Sequence, residues 1–304
     1  MLSGISITCF AASYAVAWLL ECTRLAFRSG VRGAVMLGFA GAGVVAQTLY
    51  LGYRAVTTMG GAPLSSEFDW YLIAAWLLAI VYLYLTIYHP RTAFGIFVLP
   101  VVLALIGIAA QFADREPFAR THAAQVWGMI HGIFLLLGTV AVAVGFAGGV
   151  MGLTQAYRLK HKIGPKPGLR LPSLEWLERL NVRAMMVSVV MLGIGFLSGI
   201  VLNLVNDRLQ VAHLPWSDPI VWSSALLLVW LVVAAGFAWL YKPARQGRKV
   251  AYLTLTSFAF LVLAVAVRVL LPSQHTAIGA KAAETPPAEQ SVTDADVRSG
   301  RAGP

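Results

Sequence analysis

An apolar run of about 20 residues is long enough to cross a hydrocarbon core roughly 30 Å thick. This chain of 304 residues contains eight such runs, approximately Ile5 to Leu25, Ala34 to Arg54, Trp70 to Tyr88, Thr92 to Phe112, Ala123 to Tyr157, Ala184 to Val205, Pro219 to Tyr241 and Val250 to Leu271. In lipid every backbone N–H and C=O has to be bonded inside the protein, and runs of this length meet that demand as helices. The expected fold class is therefore all-α, a polytopic transmembrane helical bundle of about eight spans over residues 1–272. Composition agrees, with 59% apolar side chains, 12% charged residues and a mean hydropathy of +0.75. The net charge of +10 then reads as an asymmetry between loops, with no nucleic-acid partner implied.

The Lys/Arg distribution sets the expected orientation. With the amino terminus outside, the inner loops receive Arg24, Arg28 and Arg32, then Arg91, seven basic residues from Arg158 to Arg183 and four from Lys242 to Lys249. That is fifteen of the 23 basic residues, held in short loops where the positive-inside bias operates. Both termini are then outside. The first run lacks a basic stretch before it and carries its arginines after it, so it is expected to be a retained helix and no signal peptide. Within the long inner loop, LPSLEWLERLN spaces Leu174, Leu177 and Leu180 with Trp176 as a short amphipathic helix, with Ser173 as N-cap. It is expected to lie along the inner headgroups. Residues 273–304 are rich in Ala, Pro, Glu, Ser and Asp without aromatics and are expected to be disordered. Cys9 and Cys22, both in the first run, form no CxxC pair and are expected to be buried small residues. Glu21 and Arg24 are expected to snorkel together at the inner end of the first run. No internal repeat is evident. Gly195 and Gly199 form a GxxxG, which lets a neighbouring helix approach closely.

The fifth run is too long for the bilayer, since 35 residues extend roughly 52 Å at 1.5 Å per residue. Anchored at Arg158, it carries His131 about 40 Å up the helix, at the outer headgroup level. His275 follows the outer end of the last run, and His213 and His122 lie in outer loops; His89 and His161 are on the inner side. Trp127, Trp216 and Trp222 share the outer rim, either as ordinary interfacial belt residues or as a flat apolar bed for a porphyrin. Two outward histidines beside such a bed are what bis-imidazole ligation of haem iron requires. Arg268, well inside an apolar run near the same rim, has three readings: a haem propionate, Asp218 or the lipid headgroups as its partner.

WGMIHGIFLLLG, a long small-residue helix ending in LTQAYRLK, LPSLEWLERLN, MLGIGFLSG and a Trp/Asp loop before the last two runs occur here in order. Together they resemble the cytochrome c assembly protein family, polytopic haem-handling proteins that include the System II haem-delivery subunit and smaller eight-span inner-membrane relatives. The motifs that carry the likeness lie within about 123–275. The resemblance implies His131 and His275 as axial ligands to the iron of haem b. It also implies a platform of Trp127, Trp216, Asp218 and Trp222, with Arg268 and His213 beside it. Ser217 and Ile220 stand where the family pattern has a tryptophan and a lysine. The implied partners are other cytochrome c maturation membrane proteins, apocytochrome c and membrane lipids, and the implied location is the bacterial inner (cytoplasmic) membrane. The expected function is to hold or present haem at the outer face during c-type cytochrome assembly. The alternatives are a regulatory or scaffold protein of haem or cytochrome biogenesis without haem binding, and a small-solute transporter using Gln47, Tyr50 and Asn203. No Walker motif, HExxH, GxSxG or paired intramembrane carboxylates support an enzyme.

Overall fold

The computed structural model describes residues 6–23, 30–58, 66–90, 92–115, 122–163, 170–208, 215–241 and 248–270. These form eight α-helices: α1 (Ile7–Thr23), α2 (Gly30–Thr58), α3 (Glu67–Tyr88), α4 (Gly95–Phe112), α5 (His122–Lys160), α6 (Leu174–Arg208), α7 (Pro219–Leu240) and α8 (Arg248–Leu270). There is no strand among the described residues. By length and composition α2 to α8 are each able to cross a membrane, and α1 is a shorter apolar helix of 17 residues. The chain is a multi-pass membrane protein, and the eight helices match the eight expected spans. The expected C-terminal tail lies outside the described residues.

Consecutive helices pack antiparallel, as short connections dictate. Phe10 of α1 meets Tyr50 of α2 while Tyr14 reaches Gln47, and Gly95 at the start of α4 lies against Tyr82 near the end of α3. The ends of α2, α4, α6 and α8 thus gather with the starts of α1, α3, α5 and α7. We call this the outer end, following the charge asymmetry of the loops. A core of Phe10, Tyr14, Leu72, Leu78, Tyr82 and Leu99 binds α1 to α4. Gln47, fully buried, accepts from the Tyr14 hydroxyl at 2.8 Å and donates to the Leu72 carbonyl at 2.9 Å. One amide thereby ties three helices, and its polarity is spent on structure.

The second half is organised on α5 and α6. On α6, Leu177, Asn181, Ala184, Ser188, Leu192, Gly195 and Ser198 are buried, a stripe at spacings of three and four. It faces the glycines of α5. A Cβ on Gly138 would come within 2.5 Å of Leu192, and one on Gly195 within 2.7 Å of Leu135 and 3.0 Å of the Leu135 backbone N. The two helices touch at backbone distance because these positions carry no side chain. α8 packs on the other side of α5, with Phe146 stacked on Phe258 at 3.9 Å, and α7 packs on α6 and α8.

Three expectations are corrected. The amphipathic stretch from Leu174 is the first three turns of α6, which continues unbroken to Arg208. Leu177 is buried in the core and Trp176 packs on Phe94 and His89. An apolar stripe at that spacing suits a neighbouring helix as well as a lipid surface. Its N-cap is Ser173 as expected, whose Oγ accepts from the Trp176 N–H at 3.3 Å. Cys9 is exposed and Cys22 half-buried, where both were expected to be buried. Glu21 is buried beside Gly95 and does not snorkel; Arg24 lies outside the described residues.

Candidate functional site

His131 is the one predicted ligand histidine among the described residues; His275, His213 and the His122 side chain lie outside them. It stands on α5, nine residues in from the helix start at the outer end. Its ring seats on Gly199, where a Cβ would fall 2.6 Å from Cε1 and 2.7 Å from Nδ1. Nδ1 lies 2.7 Å from the carbonyl oxygen of Gly195, one turn back on α6. A carbonyl only accepts, so this contact requires Nδ1 to carry the proton and to donate. That fixes the tautomer and makes Nε2 the basic, ligand-type nitrogen of the ring. The two glycines of the GxxxG therefore serve this imidazole as well as the helix approach read from the sequence.

Beside His131, Gly132 faces α3, and a Cβ there would overlap the six-membered ring of Trp70. Trp70 was not among the residues predicted from the sequence. One turn before it on the same face of α3 is Glu67, which forms an ion pair with Arg268 of α8. The two side chains are only 16% and 18% exposed. Glu67 is a partner the sequence reading did not include. Arg268 and Glu67 sit on helices that share no local pattern, so spacing could not have joined them. Trp127, one turn outward of His131 on α5, is exposed.

The start of α3 is anchored separately. Ser66 and Asp69 form a reciprocal capping box, and Arg54 Nε donates to Asp69 Oδ1 at 2.5 Å and its terminal nitrogen to the Arg115 carbonyl at 3.0 Å. The guanidinium groups of Arg54 and Arg115 lie 4.8 and 5.0 Å from the ring centre of buried Phe68. This cluster holds the outer ends of α2, α3 and α4 in fixed relation.

The tryptophan segment begins α7. Asp218 is buried, 4% exposed, and its Oδ1 accepts from the Ile220 N–H at 2.8 Å, an N-cap with Pro219 in the first turn. Asp218 thus has a local structural task at the helix start. Trp216 and Trp222 are 52% and 67% exposed on the same end of the bundle. The structure seats His131 on α6, its sequence neighbour Gly132 against Trp70 of α3, and Glu67, one turn before Trp70, on Arg268 of α8. It places Trp216, Asp218 and Trp222 at the head of α7, which packs on α6 and α8.

Among the described residues no group of three or more His, Cys, Asp or Glu side chains is arranged to hold a bare metal ion. The donor present among the described site residues is a single oriented imidazole, a nitrogen ligand of the kind that haem iron accepts. A family model described as Cytochrome C assembly protein matches residues 64–275. The matched stretch begins upstream of Trp127 and takes in α3 and α4, so it includes Glu67 and Trp70. No curated protein and no solved structure matches the chain.

Proposed function

Because the chain belongs to the cytochrome c assembly protein family, we propose that its part in that process is to hold haem b at the outer face of the bacterial inner membrane, with His131 Nε2 as an axial ligand. The observation that carries this reading is the Nδ1 contact to Gly195 O, which orients one imidazole with its basic nitrogen defined. A metal-binding histidine commonly donates its other ring N–H to a carbonyl of this kind, which holds the ring in place. Haem would supply the iron that a histidine nitrogen coordinates and the porphyrin that a c-type cytochrome incorporates. The chain's own residues would bind and orient: Gly195 and Gly199 seat the imidazole, Trp127 stands exposed one turn outward on α5, and Trp70 of α3 packs against the neighbouring Gly132. His275, with His213, Trp216, Asp218 and Trp222, completes the proposed site from the last outer segments. The chain makes no bond itself in this reading. Other maturation proteins and apocytochrome c are its partners, with thioether formation occurring on the apoprotein.

The test is a reduced-minus-oxidised spectrum and pyridine haemochrome assay of detergent-purified protein, wild type beside His131→Ala and His275→Ala. Stoichiometric low-spin haem, lost in His131→Ala, is expected. Equal haem content in wild type and His131→Ala removes the ligand assignment. A scaffold role without haem is favoured by one observation, that Asp218 serves as the cap of α7. It is distinguished by purified protein that lacks a Soret band and still recovers cytochrome-assembly proteins on pulldown. A transporter is disfavoured because Gln47, the most buried polar side chain expected to serve one, is committed to Tyr14 and Leu72.

A further inference from the structure

The Glu67–Arg268 pair takes no part in orienting the His131 imidazole. A cation on a membrane helix near the interface is costly to leave unpaired when it is largely shielded from water. The chain answers that cost from another helix, with a carboxylate at the first residue of α3. This carboxylate does not cap α3, since Ser66 and Asp69 perform that task together. Nor does it hold α3 against α2, which Arg54 and Asp69 do. Glu67 can therefore leave Arg268 by a side-chain movement, with the helix end still anchored. Having left, it sits in the first turn of a helix, where the macrodipole favours an anion. One turn further along α3, Trp70 packs on Gly132, the neighbour of His131.

We propose that Glu67 is a built-in stand-in for a ligand carboxylate: it neutralises Arg268 until a carboxylate on a ligand held at His131 takes its place. This rests on the reading of the His131 site as a haem site, whose ligand carries two propionates. The exchange keeps a carboxylate opposite Arg268 in both states. It also makes Glu67 the competitor that lowers affinity, which suits a protein that has to pass its ligand on. Selectivity follows, because a porphyrin lacking free carboxylates has nothing to offer Arg268 in exchange.

The experiment is titration of the full-length purified protein with ferric protoporphyrin IX and, separately, with its dimethyl ester, read by the Soret shift. Each variant is compared with wild type for the same ligand, which cancels partition into detergent. Glu67→Gln is expected to tighten the free acid about tenfold and leave the ester unchanged, the scale of one charge-assisted hydrogen bond no longer contested. Arg268→Gln is expected to weaken the free acid and leave the ester unchanged, which provides an arm independent of whether Glu67→Gln folds. In the double variant the preference for the free acid is expected to disappear. If neither single variant changes the ratio of free-acid to ester affinity while His131→Ala weakens both ligands, the exchange is wrong and the haem site stands. If wild type binds neither ligand, or His131→Ala binds both as wild type does, the haem reading fails and the exchange fails with it.

Discussion

A methyl group at position 199 tests whether the imidazole seat is real without any assumption about ligand. The Cβ of Gly199→Ala would lie 2.6 Å from Cε1 and 2.7 Å from Nδ1 of His131, inside any tolerable contact. The three nearest atoms all belong to that ring, the third being Nε2 at 3.6 Å, so the ring is what has to move. Moving it breaks the 2.7 Å contact from Nδ1 to Gly195 O, worth about 0.5–1.5 kcal/mol net. Forcing χ angles off their minima adds about 0.5–1.5 kcal/mol, for a coupling of about 1–3 kcal/mol between positions 199 and 131. Helix propensity works the other way, favouring Ala over Gly by up to about 1 kcal/mol, but this cancels in a double-mutant cycle. The assay is unfolding of the purified protein in mixed SDS and mild-detergent micelles for wild type, Gly199→Ala, His131→Ala and the double variant. Gly199→Ala should cost stability in the presence of His131 and be neutral or favourable once His131 is Ala. Gly195→Ala serves as the contrast, because its Cβ would press on the Leu135 backbone N at 3.0 Å and its cost should persist in the His131→Ala background. Equal costs of Gly199→Ala in both backgrounds would refute the seat.

Three further outcomes are expected. Gly132→Ala drives a methyl into the Trp70 ring; overpacking of this kind costs about 1–3 kcal/mol, and Trp70→Ala should relieve it in the same unfolding assay. Asp69→Asn leaves the Arg54 guanidinium without its counter-charge at a site 13% and 7% exposed, and should destabilise by about 3 kcal/mol; a loss below about 0.5 kcal/mol would mean that water already screens the pair. Gln47→Leu strands the Tyr14 hydroxyl among apolar side chains and should cost about 1 kcal/mol. Adding Tyr14→Phe should recover part of that loss, and an additive loss would show that the bond is not made.

The helix count and the span positions were legible because lipid imposes a demand on each segment separately. A run such as Trp70 to Tyr88 has to satisfy its own backbone and present apolar side chains whatever its neighbours do, and α3 covers Glu67–Tyr88 accordingly. The cap at Ser173 was legible for the same reason, being a contact between residues three apart; Asp218, read from the sequence as part of the tryptophan platform, is a cap of the same local kind. The GxxxG of α6 announced a close approach. That the approaching group is an imidazole, and that its proton goes to Gly195 O, depended on which face of α5 turns toward α6.

The stretch from Leu174 shows where local pattern stops being informative. Its apolar spacing fits a membrane surface and a helical core equally, and the presence of Phe94 and His89 beside Trp176 decided for the core. The Glu67–Arg268 pair and the seat of Trp70 on Gly132 are of the same kind. What the sequence determined by itself was where the chain crosses the membrane and which ends carry the charge, since transfer into lipid is a property of one segment. Which side chains meet at the outer end was decided only by the tertiary structure, since small residues on two helices have to coincide before a ring or an ion pair can fit between them.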